Sequence, residues 1–213
     1  MSPFWASFFK YTASIFAVVA LVLQFFTLLG NTYNLKFLRS LYFARLTKEG
    51  GEFIDFGLWN ACNGMNGTVT HCGTPQAAFV WTNAENIENF VSGLKGYDKA
   101  FLVNFILYWC GFGLTLFAFV FSVFTHFNRV TDSLAAIATL LAFLVLIVVF
   151  LFMLVLAVKG INNAHAIDPL IKGSIGPTTW LTLGAMAGLL IATIYYCLGC
   201  WFRVKKRRAY DKV

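Results

Sequence analysis

Gly57-Leu58-Trp59-Asn60-Ala61-Cys62, followed by Cys72, is the stretch on which the reading of this chain turns. An aromatic residue stands shortly before one cysteine, and a second cysteine follows within a hairpin's length. Between the cysteines lie two Asn-Gly pairs, Asn63-Gly64 and Asn66-Gly67, a dipeptide that supplies the positive φ angles of a tight turn. Upstream, alternation sets Ile54, Phe56 and Leu58 on one face of a strand and Asp55, Gly57 and Trp59 on the other. Downstream, Thr68-Val69-Thr70-His71-Cys72 forms a short second arm. The spacing predicts a hairpin with one cysteine on each arm, close enough to bond.

Around this stretch the chain is apolar. Of 213 residues, 59% are hydrophobic and 12% charged, more apolar surface than a soluble domain of this size can bury. Four uncharged runs, Tyr11–Gly30, Phe101–Thr125, Ser133–Val158 and Thr178–Trp201, are long enough to cross a hydrocarbon core of about 30 Å. The pattern predicts a membrane α-helical protein: a left-handed bundle of four transmembrane helices with a small extracellular antiparallel sheet, in one tetraspan domain covering residues 1–213. The first run is too long for the apolar region of a signal peptide, and no small-x-small cleavage site follows Gly30, so it is read as a span.

Charge gives the orientation. The net charge is +7, and the tail 202–213 holds six basic residues against one acid. By the positive-inside rule that tail is cytoplasmic, and four spans place the N-terminus there too. Residues 31–100 then form a large outer loop and 159–177 a smaller one. Arg203, Lys205, Lys206, Arg207 and Arg208 are expected to contact anionic inner-leaflet lipid, where each gains about 1 kcal/mol. Nucleic acid is not an expected partner.

Within the large loop, Leu41–Thr47 and Glu52–Trp59 flank a Gly50-Gly51 turn. With Thr68–Cys72, and a further candidate at Phe79–Trp81, they make a meander. Ile87, Phe90, Val91 and Leu94 then follow a helical period, with Thr82 and Glu85 at capping-box spacing. In the first span, Gln24 is expected to hydrogen-bond between helices. In the fourth, Gly184, Gly188 and Ala192 recur every fourth residue, which lets a second helix approach closely. That helix belongs either to this bundle or to a partner chain.

Cys62 and Cys72 fall in the loop assigned to the oxidising side, where a disulfide persists; the alternative is two reduced thiols. Closing a loop of this size contributes roughly 2.5–3 kcal/mol on the chain-entropy account. Cys110 reads as a small buried hydrophobe. Cys197 and Cys200 are either S-palmitoylation sites beside the polybasic tail or plain helix cysteines. Asn66-Gly67-Thr68 is an N-glycosylation sequon at the hairpin tip.

The sequence offers no sign of catalysis. His71, His126 and His165 are scattered over separate loops, and no hydrolase, metalloprotease or phosphate-loop motif occurs. None of the four runs contains Asp, Glu, Lys, Arg or His, which ion pathways and intramembrane catalysts usually need. Glu49, Glu52 and Asp55 read as a solvated strand edge rather than a cation site. No catalytic residue, metal or cofactor is expected.

Gly57-Leu58-Trp59-x-x-Cys62 with Cys72 resembles the claudin-superfamily signature, G-L-W-x-x-C with a second cysteine downstream. Four spans, a large first outer loop and a smaller second one fit that resemblance. Among claudin relatives the chain is most similar to the fungal claudin-like tetraspans: eisosomal membrane proteins, PalI-type proteins and tetraspans of mating-cell fusion. The resemblance implies that Trp59 packs the outer lobe onto the helices and that Cys62 and Cys72 form the family's disulfide. It also implies a non-enzymatic plasma-membrane glycoprotein, delivered through the endoplasmic reticulum and Golgi, that organises membrane domains by self-association or contact with other membrane proteins. Such a protein would support cell-wall remodelling, cell–cell contact or cell fusion during conjugation. The alternatives are an auxiliary subunit of a channel or signalling receptor, for example in pH sensing, and a pore- or barrier-forming claudin.

Overall fold

The structure is a computed structural model. It describes residues 3–32, 35–84, 92–124 and 130–210, with side chains throughout except at 3–7, 36, 92, 130–132, 200 and 202–210. Four long helices dominate: α1 (Pro3–Leu29), α3 (Asp98–Phe124), α4 (Val130–Ile167) and α5 (Pro177–Tyr210). Each contains an apolar stretch long enough to span a membrane. A four-residue helix, α2 (Lys36–Arg39), follows α1. The strands are β1 (Ala44–Thr47), β2 (Glu52–Phe56), β3 (Ala61–Met65), β4 (Thr68–Cys72) and β5 (Lys172–Ile175). They form one antiparallel sheet in the order β4-β3-β2-β1-β5. The architecture is thus a four-helix membrane bundle with a small sheet lobe.

The chain divides into two compact units, and each long helix contributes a segment to both. The described residues of the unit formed by 1–24, 109–147 and 184–213 are all helical. Its core is built on small residues: Ala20, Ala142 and Ala185 are fully buried with Leu146 and Leu189, and Ala13, Ala135 and Ala192 with Tyr196. In lipid the apolar effect does not drive helices together, so close backbone approach and dispersion must do so. A Cβ on Gly184 would stand 3.3 Å from Leu23, and one on Gly188 would stand 3.4 Å from the Phe16 carbonyl. Gln24, fully buried, donates to Thr115 Oγ1 at 2.9 Å, and Thr115 donates to the Gly111 carbonyl at 2.8 Å.

The unit formed by 25–108 and 148–183 contains the sheet. Two turns use glycine as the sequence suggests. Gly50 and Gly51 sit at φ +100° and +83° between β1 and β2, and Asn66-Gly67 at +51° and +80° between β3 and β4, the left-handed pair of a two-residue hairpin. Beneath the sheet Phe56 packs on Trp81 with ring centroids 4.9 Å apart, and Trp81 on Phe101 at 5.5 Å.

Several expectations are corrected. The strand expected over Glu52–Trp59 ends at Phe56, and residues 57–60 form a turn into β3, so the hairpin arm that carries Cys62 is β3 and not the strand before it. The strand expected from Leu41 starts at Ala44. Phe79–Trp81 is not a strand; residues 81–83 form a 3-10 turn that buries Trp81. The outer segment 159–177 is not a simple loop: α4 continues to Ile167, and β5 then pairs with β1. Helices therefore outrun the apolar runs, so Lys10 lies on α1 and Lys159 and His165 on α4. Cys110 is exposed on α3 rather than buried. Most of the proposed helix around Ile87, Phe90 and Val91 lies outside the described residues, as does His126.

Candidate functional site

The site grows from the turn between β2 and β3. Phe56 ends β2, and the chain reverses through Gly57, Leu58, Trp59 and Asn60, with Gly57 N–H donating to the Asn60 carbonyl at 2.9 Å. Glycine at 57 answers to space. A Cβ there would lie 2.8–2.9 Å from the Asn31 side chain and 3.1 Å from the Asn60 carbonyl. Asn31 is itself buried at φ +57°, two residues past the end of α1. Its amide, oriented by its neighbours, donates to the carbonyls of Leu38 and Arg39, both at 3.2 Å. Leu58 is buried in the core of the lobe.

Trp59 joins the lobe to the helices. Its indole N–H donates to the Leu28 carbonyl at 2.6 Å, one of the α1 carbonyls that the helix leaves without an intrahelical donor. Its ring meets Phe105 of α3 edge-on, with centroids 5.0 Å apart. A second tryptophan works from below: Trp81 Nε1 donates to the Gly57 carbonyl at 3.1 Å. One turn is thus held by two indoles, one pointing out of it and one into it.

β3 then carries Cys62 into register with Cys72 on β4, and the two are disulfide-bonded with Cα atoms 4.0 Å apart. That is the close spacing of a non-hydrogen-bonded antiparallel pair. The bond is flanked by Gly73 N–H donating to the Ala61 carbonyl and by Asn60 Nδ2 donating to the Gly73 carbonyl, both at 3.0 Å. Asn66, at the tip of the β3–β4 hairpin, is exposed.

On the same face of the sheet, Asp55 stands between Cys62 on β3 and Arg45 on β1. It is fully buried, not part of a solvated edge as its sequence neighbours Glu49 and Glu52 suggest; those two are exposed. Arg45 donates to it through Nε at 2.6 Å and Nη2 at 2.8 Å, the planar fork that lysine lacks. The guanidinium lies over the rings of Tyr42 and Phe53, 4.4 and 4.2 Å from their centroids. Burial raises the Asp55 carboxyl above the ordinary carboxylate range, and the Arg45 hydrogen bonds offset only part of that. The carboxylate in turn raises Arg45. Sequence reading missed this pair; the alternation that puts 53 and 55 on one face of β2 was the available signal.

Other expected residues lie elsewhere. Gly184, Gly188 and Ala192 face the small-residue core of the helical unit. Cys197 is exposed on α5, and the side chain of Cys200 lies outside the described set. The backbone of α5 runs on helically through Arg203, Lys205, Lys206, Arg207 and Arg208, whose side chains are likewise outside it. Among the described residues, no three His, Cys, Asp or Glu side chains are grouped to hold a metal ion. The arrangement is structural chemistry: a pinned sheet, an internal ion pair and an indole tie to a helix end.

Comparison with known proteins agrees with this picture. Residues 9–194 match the SUR7/PalI family. No curated protein matches the chain.

Proposed function

The chain belongs to the SUR7/PalI family, and from that premise we propose that it is a non-enzymatic tetraspan of the plasma membrane that organises lateral membrane domains. Both termini are cytoplasmic in this reading, and the sheet stands outside the cell. The tie between Trp59 and Leu28 carries the reading. A lobe pinned by Cys62–Cys72 and fastened to the end of α1 is a fixed surface, suited to holding neighbours in register. The exposed apolar side chains along the helices face lipid or other spans, and the basic end of α5 holds anionic lipid. Cell-surface remodelling and cell fusion are the processes such an organiser would serve. Asn66 carries glycan, and Cys197 and Cys200 are the residues for acylation.

The test is an epitope placed in the exposed segment 73–77 of the full chain in intact cells, with in-cell crosslinking. The expected result is labelling without permeabilisation and ladders of self-crosslinked copies. Labelling only after permeabilisation overturns the orientation. A fixed ratio with one large membrane protein favours the auxiliary-subunit reading instead.

A further inference from the structure

A groove of about 320 Å³ opens beside the disulfide, lined by Thr32, Arg39, Asn60, Thr70, His71 and Pro75 among others. None of its lining residues is acidic. Arg39 is fixed at one end of its guanidinium, where Nη1 donates to the Val69 carbonyl at 3.3 Å. Its Nε is buried and has no partner among the described residues. Thr32 also lines the groove, and its hydroxyl is buried just behind it with no partner among the described residues. Buried donors are rarely left unsatisfied, and one on a cation is the most costly to leave so. Two such groups beside one groove without carboxylates call for an acceptor that brings negative charge.

The setting narrows the acceptor. Thr32 follows the end of α1 by three residues. Leu35 and Phe37, beside Arg39, are 62% and 58% exposed, and the Phe37 ring packs edge-on against Phe26 of α1 at 5.5 Å. Exposed apolar side chains next to a transmembrane helix end mark the depth of lipid headgroups.

We propose that the Arg39 groove binds a phosphate oxyanion, supplied by a phospholipid headgroup or as free phosphate. A small turn of the Arg39 side chain uncovers Nε, which with Nη2 takes two of its oxygens through a fork, and the His71 ring donates to another. The inference rests on the sheet standing at the outer lipid interface, but binding to purified protein is independent of orientation in cells.

The test uses the full chain in a phosphate-free alkyl glucoside detergent, followed by thermal unfolding at constant ionic strength balanced with chloride. One arm titrates inorganic phosphate; the other titrates dispersed phosphatidylcholine, with extra alkyl glucoside as the phosphate-free control. The expected result is a saturable rise in melting temperature in at least one arm. A rise with inorganic phosphate identifies the free ion as sufficient; a rise with phospholipid alone identifies the headgroup. Arg39→Gln weakens the effective ligand about tenfold or more, and His71→Ala, at an exposed position, weakens it by a smaller factor. A cooperative melting transition without ligand verifies that each variant is folded. No saturable rise in either arm overturns the proposal, as does an equal response to the glucoside control. An unchanged response in both variants overturns it too, and if Arg39→Gln shows no cooperative melt, His71→Ala alone decides. Failure here with the epitope still outside the cell leaves the domain-organiser reading intact.

Discussion

The indole N–H of Trp59 and the carbonyl of Leu28 meet at 2.6 Å, so the aromatic residue of the signature also finishes the last turn of the first helix. Trp59→Phe keeps a ring against Phe105 and removes the donor. It is expected to destabilise the lobe by about 1 kcal/mol, whereas Trp59→Ala, which also empties the contact, loses about 3 kcal/mol or more. Protease resistance of the segment 73–77 in detergent measures both. Equal effects of the two variants would show that the hydrogen bond, not the ring, holds the lobe.

Gly57→Ala places a methyl group 2.8 Å from Asn31, with the Asn60 carbonyl on its other side. Backbone and a bonded amide cannot both retreat, so a loss of about 1–3 kcal/mol is expected. The same readout checks it.

Removing the disulfide by Cys62→Ser removes roughly 2.5–3 kcal/mol on the loop-closure account. The four helices do not depend on it and remain inserted. Glycosylation mapping and surface labelling are expected to show a correctly threaded chain that is retained inside the cell; normal surface delivery would remove the disulfide from the requirements for folding.

Asp55→Ala leaves Arg45 charged and partly buried with no acceptor. A loss of about 3–5 kcal/mol is expected, read from thermal melts in detergent.

The same residue gives a pH prediction. Its folded pKa lies above the ordinary 3.8 because burial outweighs Arg45. The native state therefore takes up a proton before the unfolded chain does. The contribution is fully present below the unfolded pKa and is lost as pH rises through the raised folded value. Wild type is expected to gain stability relative to Asp55→Asn as pH falls from neutral through that window, in paired thermal melts in detergent. A gap that moves the other way would mean that Arg45 prevails over burial.

Much of this was legible in the sequence because the signals are local. Uncharged runs name helices, Asn66-Gly67 and Gly50-Gly51 name turns, and Cys62 and Cys72 name each other once the turn between them is known. Gln24 stood out as a polar side chain in an apolar run, and it does bond to Thr115. What was missed is non-local or mixed. The turn 57–60 contains the apolar Leu58 and Trp59 because they bury against the core and α3, so alternation carried through it and hid β3. Asp55 looked like a member of an exposed acidic group because its partner, Arg45, lies across a strand pair. Lys172–Ile175 shows no strand pattern, all four residues being exposed; only β1 makes it a strand. Cys110 is exposed because lipid, not protein, is the apolar surrounding on that face of α3.

The pairing of Ala44–Thr47 with Lys172–Ile175 sets a timetable for biogenesis. During translation the four strands β1 to β4 emerge together and can zip and oxidise early, while the edge of β1 stays open until residues 172–175, which follow α4, leave the ribosome. A nascent chain stalled before β5 therefore exposes an unpaired strand edge, the feature on which quality-control chaperones act, and the finished sheet reports that synthesis has passed α4.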